Sequence, residues 1–466
     1  MTKVETTDYL IVGAGASGLA VADEIVRHSD ATVTLADRRH EPGGHWVDAY
    51  PFVRLHQPSA YYGVNSRPLG NDRIDVGGIN DGFYERATGH EVASYYRSVL
   101  DDLMASGRVR WMPMVDYRGE SSGRHQLVSR LDGTTTEVAV ARRVVNATIV
   151  ASEVPSRHAP PFAYDDDMCV VAPNELTHLD EPADGFVIIG AGKTAMDTVV
   201  WLIGQGVEPD RIRWVRPRDA WLVDRAHTQP FDLVGSMVAY QARTIEACGT
   251  AQSGQSFARQ LEDHGMMCRV DPAFEALTYR GAVIAREELA ILRMVEQVVR
   301  HGRVRSIGPH SIQLDEADVP TSARTVHVNC TAQGLATAPT SPIYAEGRID
   351  VQFTTLGVAP WSAAILGFVE TLDIDDDERN RLCPPVPRTG LIADQLRILA
   401  AGLEAEGARR DHPDIAAWSQ QARLNPTRSM AEHFDDPAVM ESLTLMLESV
   451  EPAVANLSAL AEAGWT

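Results

Sequence analysis

Three glycines near the N-terminus have the spacing of a phosphate-binding loop. The segment Gly13-Ala-Gly15-Ala16-Ser17-Gly18 follows the apolar run 8–12 and leads into a helical pattern that continues to residue 26. In this motif the glycines permit a tight turn, a close approach of the backbone to a pyrophosphate, and close packing of helix on strand. The amide groups at the start of the helix then face the phosphates. The segment therefore predicts a dinucleotide site at Gly13, Gly15, Ala16, Ser17 and Gly18.

An acidic residue stands where the ribose of a bound dinucleotide would lie. The β-branched run 31–36 ends at Asp37, 19 positions after the last glycine of the loop. A carboxylate there accepts hydrogen bonds from ribose hydroxyls and repels a 2′-phosphate, so the loop should hold FAD or NAD. The following stretch contains two further glycines and a tryptophan, and such glycines suit backbone that passes close to a flavin. FAD is therefore favoured, with further contacts from Arg38, Gly44, His45 and Trp46.

The same local pattern returns roughly 175 residues later. A predicted strand at 186–189 leads into Gly190-Ala-Gly192-Lys193-Thr194-Ala195, and a helical pattern follows. The next strand ends at Arg216 and Arg218, where the first unit has an acid, and an arginine can pair with a 2′-phosphate. Solvated charges would explain these arginines less well, whereas Lys193 suits a phosphate contact and a solvent-facing position equally. The second site is predicted to bind NADPH through Gly190, Gly192, Lys193, Thr194, Arg216 and Arg218.

These motifs predict an α/β protein with two Rossmann-type domains on doubly wound parallel sheets, a helical insert and a helical C-terminus. Buried strands at 144–150 and 325–331 are expected to link the domains, and 109–140 to form an antiparallel β excursion. A helix is predicted at 285–299. The expected boundaries are 1–155 plus 326–395 for the FAD-binding domain, 160–325 for the NADPH-binding domain with its insert at about 230–300, and 396–466 for the helical C-terminal segment.

Composition excludes several other functions. The net charge is −22, so nucleic acid and anionic membrane are poor partners. Five scattered cysteines form no CxxC pair, which argues against a zinc site or a dithiol reductase and fits a reducing cytosol. Since no signal peptide and no apolar run of 18 residues are present, we expect a cytoplasmic protein. The apolar helical pattern at 437–460 is a candidate interface for a homo-oligomer, or a lid.

The order of these motifs resembles the class B flavoprotein monooxygenases, which include flavin-containing, Baeyer–Villiger and N-hydroxylating enzymes. The resemblance covers about residues 5–370: GxGxxG, the acidic strand end, GGxW, GxGxxA and the arginine after the second strand. The Asn-x-Thr sequences that end at Thr148 and Thr331 resemble the family's two linker strands. The family has a fingerprint with Phe, Gly and His between the two nucleotide motifs. In this chain the corresponding stretch, 162–176, contains neither the glycine nor the histidine, so the resemblance is to a divergent member.

The resemblance implies that NADPH reduces the flavin, that the reduced flavin adds O2 at C4a, and that this (hydro)peroxide oxidises a small molecule. The protein would align the nicotinamide, donate hydrogen bonds and exclude water. His56 and Gln57 are the candidate catalytic residues because they follow GGxW, although ordinary loop positions explain them somewhat better; Thr148 is a candidate cofactor contact. Two alternatives remain open: an NAD(P)H-dependent flavin oxidase or dehydrogenase without oxygen insertion, and a non-catalytic FAD- and NADPH-binding redox sensor.

Overall fold

The computed structural model describes residues 4–332, 334, 340–355 and 359–465. Two parallel sheets dominate this part of the chain, and each contains one of the glycine loops. The helices are α1 (Ala16–His28), α2 (Gly89–Ala105), α3 (Lys193–Gly204), α4 (Val234–Thr250), α5 (Gly254–Asp263), α6 (Arg286–Leu292), α7 (Ala359–Glu370), α8 (Asp376–Leu382), α9 (Gln395–Asp411), α10 (Pro413–Gln421) and α11 (Pro437–Glu462).

The strands follow the chain as short segments between these helices. They are β1 (Val4–Val12), β2 (Val33–Ala36), β3 (Val109–Met112), β4 (Val115–Ser121), β5 (Arg124–Ser129), β6 (Thr135–Asn146), β7 (Ala163–Tyr164), β8 (Val170–Val171), β9 (Gly185–Ile189), β10 (Ile212–Val215), β11 (Asp219–Asp224), β12 (Met267–Cys268), β13 (Ala276–Ile284), β14 (Gln297–Val299), β15 (Val304–Ile307), β16 (Ser311–Leu314), β17 (Asp318–Pro320), β18 (Thr325–Asn329), β19 (Tyr344–Ala345) and β20 (Arg348–Asp350).

The first sheet has the parallel order β20-β6-β1-β2-β3. All four residues of β2 are buried, as expected for a parallel strand covered on both faces. α1 crosses from β1 to β2, and α7 packs on α1 so closely that a Cβ on Gly367 would lie 3.0 Å from the Cα of Val21. The predicted antiparallel excursion is confirmed for β4, β5 and the first half of β6, but β3 extends the parallel sheet.

The second sheet is parallel throughout, in the order β14-β10-β9-β18-β8. The first strand expected as a linker ends at Asn146, four residues earlier than predicted, and is continuous with the excursion strand before it. The second, β18, pairs along its whole length with β9, so the boundary expected at 326 falls within a strand of the second sheet. The chain rejoins the first sheet with the antiparallel pair β19 and β20, of which β20 lies beside β6.

The predicted helix at 285–299 is wrong in its second half. α6 ends at Leu292, and Gln297–Val299 forms β14 beside β10. Apolar residues at Val295, Val298 and Val299 fit helical spacing, but the open edge of the parallel sheet decides for a strand. The insert as a whole is mixed, because β12 and β13 pair with β11 on either side.

The C-terminal helices close over this insert. α11 packs against α4, where the Asn456 side chain donates hydrogen bonds to the carbonyl oxygens of Cys248 and Ala251 at 2.8 Å each. The helical character predicted beyond about residue 390 is therefore confirmed by α9, α10 and α11. Among the described residues, no helix combines the length and apolarity needed to cross a lipid bilayer.

Candidate functional site

The first glycine loop joins β1 to α1 at the carboxyl edge of the first sheet. The Gly13 amide donates to the Ala36 carbonyl oxygen at 2.8 Å, which ties the loop to β2. A Cβ on Gly18 would overlap the Gly13 carbonyl oxygen, so only glycine lets α1 begin this close to β1. Gly15 is the N-cap residue of α1, and no side chain caps the helix. Its first amide groups are therefore left for an external acceptor, as a pyrophosphate would be.

Asp37 is held beside this loop by backbone donors. Its side chain is buried, and its two oxygens accept hydrogen bonds from the amides of Ala14 at 2.7 Å and Arg39 at 2.8 Å. Each carboxylate oxygen has a second acceptor position, so ribose hydroxyls can still bind. The Arg38 side chain, by contrast, is exposed. The carboxylate is thus pre-positioned at the mouth of the loop, where the sequence predicted it.

The segment 43–46 passes directly over the first loop. Gly44 has a φ of +61°, and a Cβ there would lie 3.0 Å from the Cα of Gly15, so contact between protein backbones alone requires this glycine. The Trp46 indole donates to the Tyr62 hydroxyl at 2.8 Å, which fixes its orientation. Burial, then Arg39, lowers the pKa of His45 to about 4, so this imidazole is neutral near pH 7. The segment forms a second wall of the candidate flavin site.

The second glycine loop repeats the first. The Gly190 amide donates to the Val215 carbonyl oxygen at 3.1 Å, as Gly13 does in the first unit. α3 has Gly192 as its N-cap residue and, like α1, no side-chain cap. Lys193 forms an ion pair with Asp197 one turn along α3, and its side chain is only 18% exposed. The sequence was compatible with either a phosphate contact or a solvent-facing position for Lys193. The solvent-facing position is not adopted, and Lys193 stands in the first turn of α3.

The two Asn-x-Thr sequences form identical corners beside the two loops. Asn146 Oδ1 accepts hydrogen bonds from the amide (3.2 Å) and hydroxyl (2.7 Å) of Thr148. Asn329 Oδ1 accepts the same pair from Thr331, at 3.1 and 2.5 Å. Each corner follows the strand next to its glycine strand, β6 beside β1 and β18 beside β9. The chain has thus built the same nucleotide-binding framework twice.

The two arginines after β10 have different environments. Arg216 is buried, its Nε lies 3.1 Å from an Asp219 carboxylate oxygen, and its guanidinium stacks on the Trp214 ring at 4.6 Å. Arg218 is exposed, and within the described chain it makes no ion pair. Burial, then Arg303 and Arg280, lowers the pKa of Arg218, so a positive environment surrounds it. Arg216 therefore has a partner within the protein, and Arg218 is the residue free to meet a phosphate.

Side chains that follow the two glycine loops contact each other directly. The Tyr50 hydroxyl, six residues after Gly44, donates to Asp197 Oδ2 at 2.8 Å. Beside this bond, the rings of Phe52 and Trp201 stack with their centres 4.5 Å apart. The turn that follows the first site thus packs on the helix that begins at the second. The elements next to the two loops are therefore in direct contact with each other.

The His56 side chain is half-buried and lies near Lys193, the first residue of α3, and its catalytic role stays a prediction. Its Nδ1 accepts a hydrogen bond from the Val283 amide at 3.1 Å. Burial, then Lys193, Arg225 and Arg86, lowers its pKa to about 3. The ring is therefore neutral, and its proton must be on Nε2, which can donate a hydrogen bond. The neighbouring Gln57 is half-buried and makes no side-chain hydrogen bond within the described residues.

Sequence reasoning missed a buried ionic cluster behind His56. Glu288 lies between Arg225 (2.5 Å) and Arg86 (3.4 Å), and all three side chains are buried. Arg225 also donates to the His56 carbonyl oxygen at 3.2 Å. Burial alone would raise the pKa of Glu288, but Lys193, Arg225 and Arg86 outweigh it and lower the pKa to about 2. No local motif announces this cluster, because its members are far apart in the sequence.

The observed residues fit one dinucleotide at each loop. The fit rests on two helix starts without caps, a carboxylate at the end of β2 and an exposed guanidinium just after β10. An anion at each helix start would satisfy amide groups that no side chain satisfies. Asp37 suits the unsubstituted ribose of FAD, whereas Arg218 suits a ribose that carries a phosphate.

Comparison with known proteins places the chain in a family. An uncharacterized protein of Mycobacterium tuberculosis is 40% identical over 429 residues, which cover 91% of this chain and 78% of that one. An uncharacterized protein of Mycobacterium bovis matches to the same extent. The chain belongs to this mycobacterial protein family. Residues 11–61 of this family member also match the model of the NAD(P)-binding Rossmann-like domain, which spans the first loop and the wall above it.

Solved structures show which fold this family has. A closed structure of cyclohexanone monooxygenase matches with a TM-score of 0.52 at 14% identity, covering 94% of this chain and 98% of that one. A steroid monooxygenase bound to NADP matches with a TM-score of 0.51 at 12% identity, and the match covers 99% of this chain and 98% of that one. A polycyclic ketone monooxygenase from Thermothelomyces thermophila matches with a TM-score of 0.51 at 10% identity, and the match covers 99% of this chain and 88% of that one. The family member has the two-domain fold of class B flavoprotein monooxygenases, as the motif order predicted.

Proposed function

We propose that this chain is an FAD- and NADPH-dependent monooxygenase that oxidises a small molecule with O2. The observation that carries the proposal is the hydrogen bond from Tyr50 to Asp197, because it couples the wall of the first nucleotide loop to the helix of the second. A redox sensor or scaffold has no need for two dinucleotide sites whose supporting elements contact each other. The fold shared with cyclohexanone and steroid monooxygenases supports the same assignment.

Each cofactor has a distinct set of contacts. The α1 amides would hold the FAD pyrophosphate, and Asp37 would bind its ribose. Thr148 and the segment 43–46 would contact the part of FAD that lies beyond the pyrophosphate. The α3 amides and Lys193 would hold the NADPH pyrophosphate, and we assign its 2′-phosphate to Arg218. Thr194, in the first turn of α3, lies next to this site. When bound, FAD supplies the capacity to accept a hydride from NADPH and to bring O2 into reaction.

The residues of the cleft would position the reacting groups and exclude water. The neutral His56 ring can offer its Nε2 proton as a hydrogen bond without accepting a proton itself, and Gln57 has an unused amide beside it. Tyr50 and the stacked ring pair close the cleft from the side. The five cysteines are all free thiols, which suits the cytoplasmic location predicted from the sequence.

The test is oxygen incorporation by the purified protein. We expect it to carry FAD, to be reduced anaerobically by NADPH faster than by NADH, and to insert one atom of 18O2 into members of a panel of ketones, sulfides and tertiary amines. Hydrogen peroxide formed in a one-to-one ratio with consumed NADPH for every panel member would indicate an oxidase. A colourless protein that takes up no FAD would eliminate both enzyme functions.

A second experiment tests the coupling between the loops. Tyr50→Phe removes the hydroxyl that binds Asp197 and keeps the ring, so we expect unchanged FAD content and slower flavin reduction by NADPH in a stopped-flow experiment. Tyr164→Phe is the matched control, because that tyrosine is exposed on β7 and belongs to neither glycine loop. Equal reduction rates in wild type and Tyr50→Phe would remove the main support of the proposal.

A further inference from the structure

The chain around α10 packs on the first domain. The Trp418 ring, on α10, stacks on the rings of Phe368 and Trp361 of α7, with ring centres 4.6 and 5.1 Å apart. Its indole donates to the Glu24 carboxylate at 3.0 Å. Glu24 is 1% exposed and belongs to α1, the helix that begins at the first glycine loop. This part of the C-terminal segment is therefore built into the domain that contains the first loop.

A second contact joins the same segment to the chain before α2. The Leu424 amide donates to Asn65 Oδ1 at 2.9 Å, and the Asn65 side-chain amide donates to Glu24 at 2.6 Å. The Tyr61 hydroxyl donates to the Pro426 carbonyl oxygen at 3.3 Å. One buried carboxylate on α1 thus binds both the C-terminal segment and the stretch that faces it.

Arg423 is the main contact between the C-terminal segment and this stretch. The residue is half-buried, and its guanidinium donates to the backbone carbonyl oxygens of Ala60 (2.7 Å), Tyr62 (2.6 Å) and Val64 (3.1 Å). A planar fork of donors suits such alternate carbonyls, whereas an ammonium group does not. The stretch contains one short 3-10 helix, Ser59–Tyr61, so donors from elsewhere in the chain fix its path.

Tyr62 connects this stretch to the wall over the first glycine loop. Its hydroxyl accepts the hydrogen bond from the Trp46 indole at 2.8 Å, and the two rings meet edge to face with their centres 5.8 Å apart. Gly44, two residues before Trp46, lies against Gly15 of the loop itself. A continuous chain of contacts therefore leads from Arg423 through Tyr62 to the first loop.

We propose that Arg423 is a positioning residue of the FAD site. It holds Tyr62, and through it Trp46, in the orientation that the bound cofactor meets, and it does not touch the cofactor itself. The inference rests on the proposed FAD site but not on oxygen insertion. Every other residue assigned to FAD lies between positions 13 and 148, so a segment remote in the sequence completes the site.

The dissociation constant for FAD tests the proposal. The full-length protein loaded with FAD is diluted, and bound and free FAD are separated by ultrafiltration. Arg423→Gln should raise the dissociation constant by about 10-fold or more. The affinity for NADP should not change, because the second loop belongs to the other sheet.

A double-mutant cycle separates positioning from a general loss of stability. Tyr62→Phe removes the hydroxyl that binds the Trp46 indole and keeps the ring. If Arg423 acts through Tyr62, the double variant should lose less FAD affinity than the product of the two single losses. Losses that multiply would show that the two residues act independently, and they would overturn the proposal.

Arg409→Gln is the matched control. This buried arginine on α9 also donates to a backbone carbonyl oxygen, that of Leu382 at 3.0 Å, outside the stretch that Arg423 holds. We expect a lower melting temperature and an unchanged dissociation constant for FAD. A loss of FAD affinity as large as that of Arg423→Gln would attribute both effects to destabilisation and overturn the proposal.

Trp418→Phe is a milder variant that decides the question if Arg423→Gln does not fold. It removes the indole donor to Glu24 and keeps an aromatic ring on α7, so FAD binding should weaken by about 3-fold. Unchanged FAD binding in Trp418→Phe and in folded Arg423→Gln would overturn this inference alone. A wild-type protein that binds no FAD would overturn the proposed function as well.

Discussion

Two arginines that look equivalent in the sequence have different roles at the scale of the single residue. Arg216 is enclosed by Asp219 and Trp214, and its charge is already balanced within the protein. Arg218 stands two positions later on the exposed side of the strand end. The sequence predicted an NADPH site from both arginines, and the burial of Arg216 leaves Arg218 as the proposed contact for the 2′-phosphate. Arg216 stabilises the strand end on which Arg218 is displayed.

Arg218→Ala should consequently change the choice of cofactor. Losing one charge-assisted contact of about 1.5–3 kcal/mol raises the KM for NADPH by roughly 10- to 150-fold and leaves the KM for NADH nearly unchanged. Steady-state kinetics with both cofactors measures this. Arg216→Ala is the contrast, with a lower melting temperature and no discrimination between the cofactors. Equal effects of Arg218→Ala on both KM values would contradict the assignment.

His56 makes a prediction about pH. Its pKa is lowered to about 3 by burial, Lys193, Arg225 and Arg86, so its charged form is populated only well below neutral pH. We expect His56→Ala to lower the yield of oxidised product per NADPH by the same factor at every pH from about 5 to 8. A break near pH 6.5 in the wild-type profile that disappears in His56→Ala would show that the ring titrates and acts as an acid or base.

At the scale of the element, the two helix starts determine where nucleotides can bind. α1 and α3 begin at Gly15 and Gly192, and neither has a side chain that caps its first amides. α2 shows the contrast, because Thr88 and Glu91 form a complete capping box at its start. A helix start that binds phosphate keeps its amides open, so the missing caps fit the proposed nucleotide sites; α4, α9 and α10 also lack a side-chain cap, and only α1 and α3 follow a glycine loop.

Gly18→Ala tests how closely α1 has to approach β1. The added methyl group overlaps the Gly13 carbonyl oxygen, so we expect a lower free energy of unfolding and a loss of bound FAD, measured by denaturant unfolding and by the flavin absorbance of the purified protein. Gly407→Ala, within α9, is the matched control. Its Cβ meets nothing within 4 Å, so the same change should stabilise the helix by about 0.5–1 kcal/mol. An intact FAD content in Gly18→Ala would contradict the packing argument.

At the scale of the whole molecule, one buried carboxylate forms ion pairs with arginines from both predicted domains. Arg86 belongs to the first domain and Arg225 to the second, and both depend on Glu288 for their charge balance. Neither arginine can be solvated instead, because both side chains are buried. Arg225 also binds the backbone of His56, so the same cluster positions the candidate catalytic residue.

Glu288→Gln should therefore destabilise the protein strongly. Leaving two cations without their partner costs about 3–5 kcal/mol, whereas Glu287→Gln at the neighbouring exposed position should stay within about 0.5 kcal/mol. The Glu288 pKa is lowered from 4.5 to about 2, so its contribution is complete above pH 4.5 and is lost as the pH falls towards 2. Denaturant unfolding at pH 7 and pH 3 measures both effects, and an equal loss of stability on acidification in wild type and Glu288→Gln would contradict this role.

The sequence by itself determined the two nucleotide loops and the charge at each strand end. These features depend on residues within about 25 positions of one another, where glycine conformation, strand pattern and helix pattern are local properties. The order of the motifs along the chain was sufficient to predict the two-domain fold, and the repeated Asn-x-Thr corners were visible before their hydrogen bonds.

Only the tertiary structure decided which of these residues are buried within the protein and which stay exposed. Burial of Arg216 depends on Trp214 and Asp219 folding around it, and the strand at 297–299 exists because β10 offers an open edge. The cluster around Glu288 joins residues that lie 202 positions apart in the sequence, Arg86 and Glu288. Local patterns contain no information about such contacts, because long-range packing selects among conformations that the local sequence allows equally.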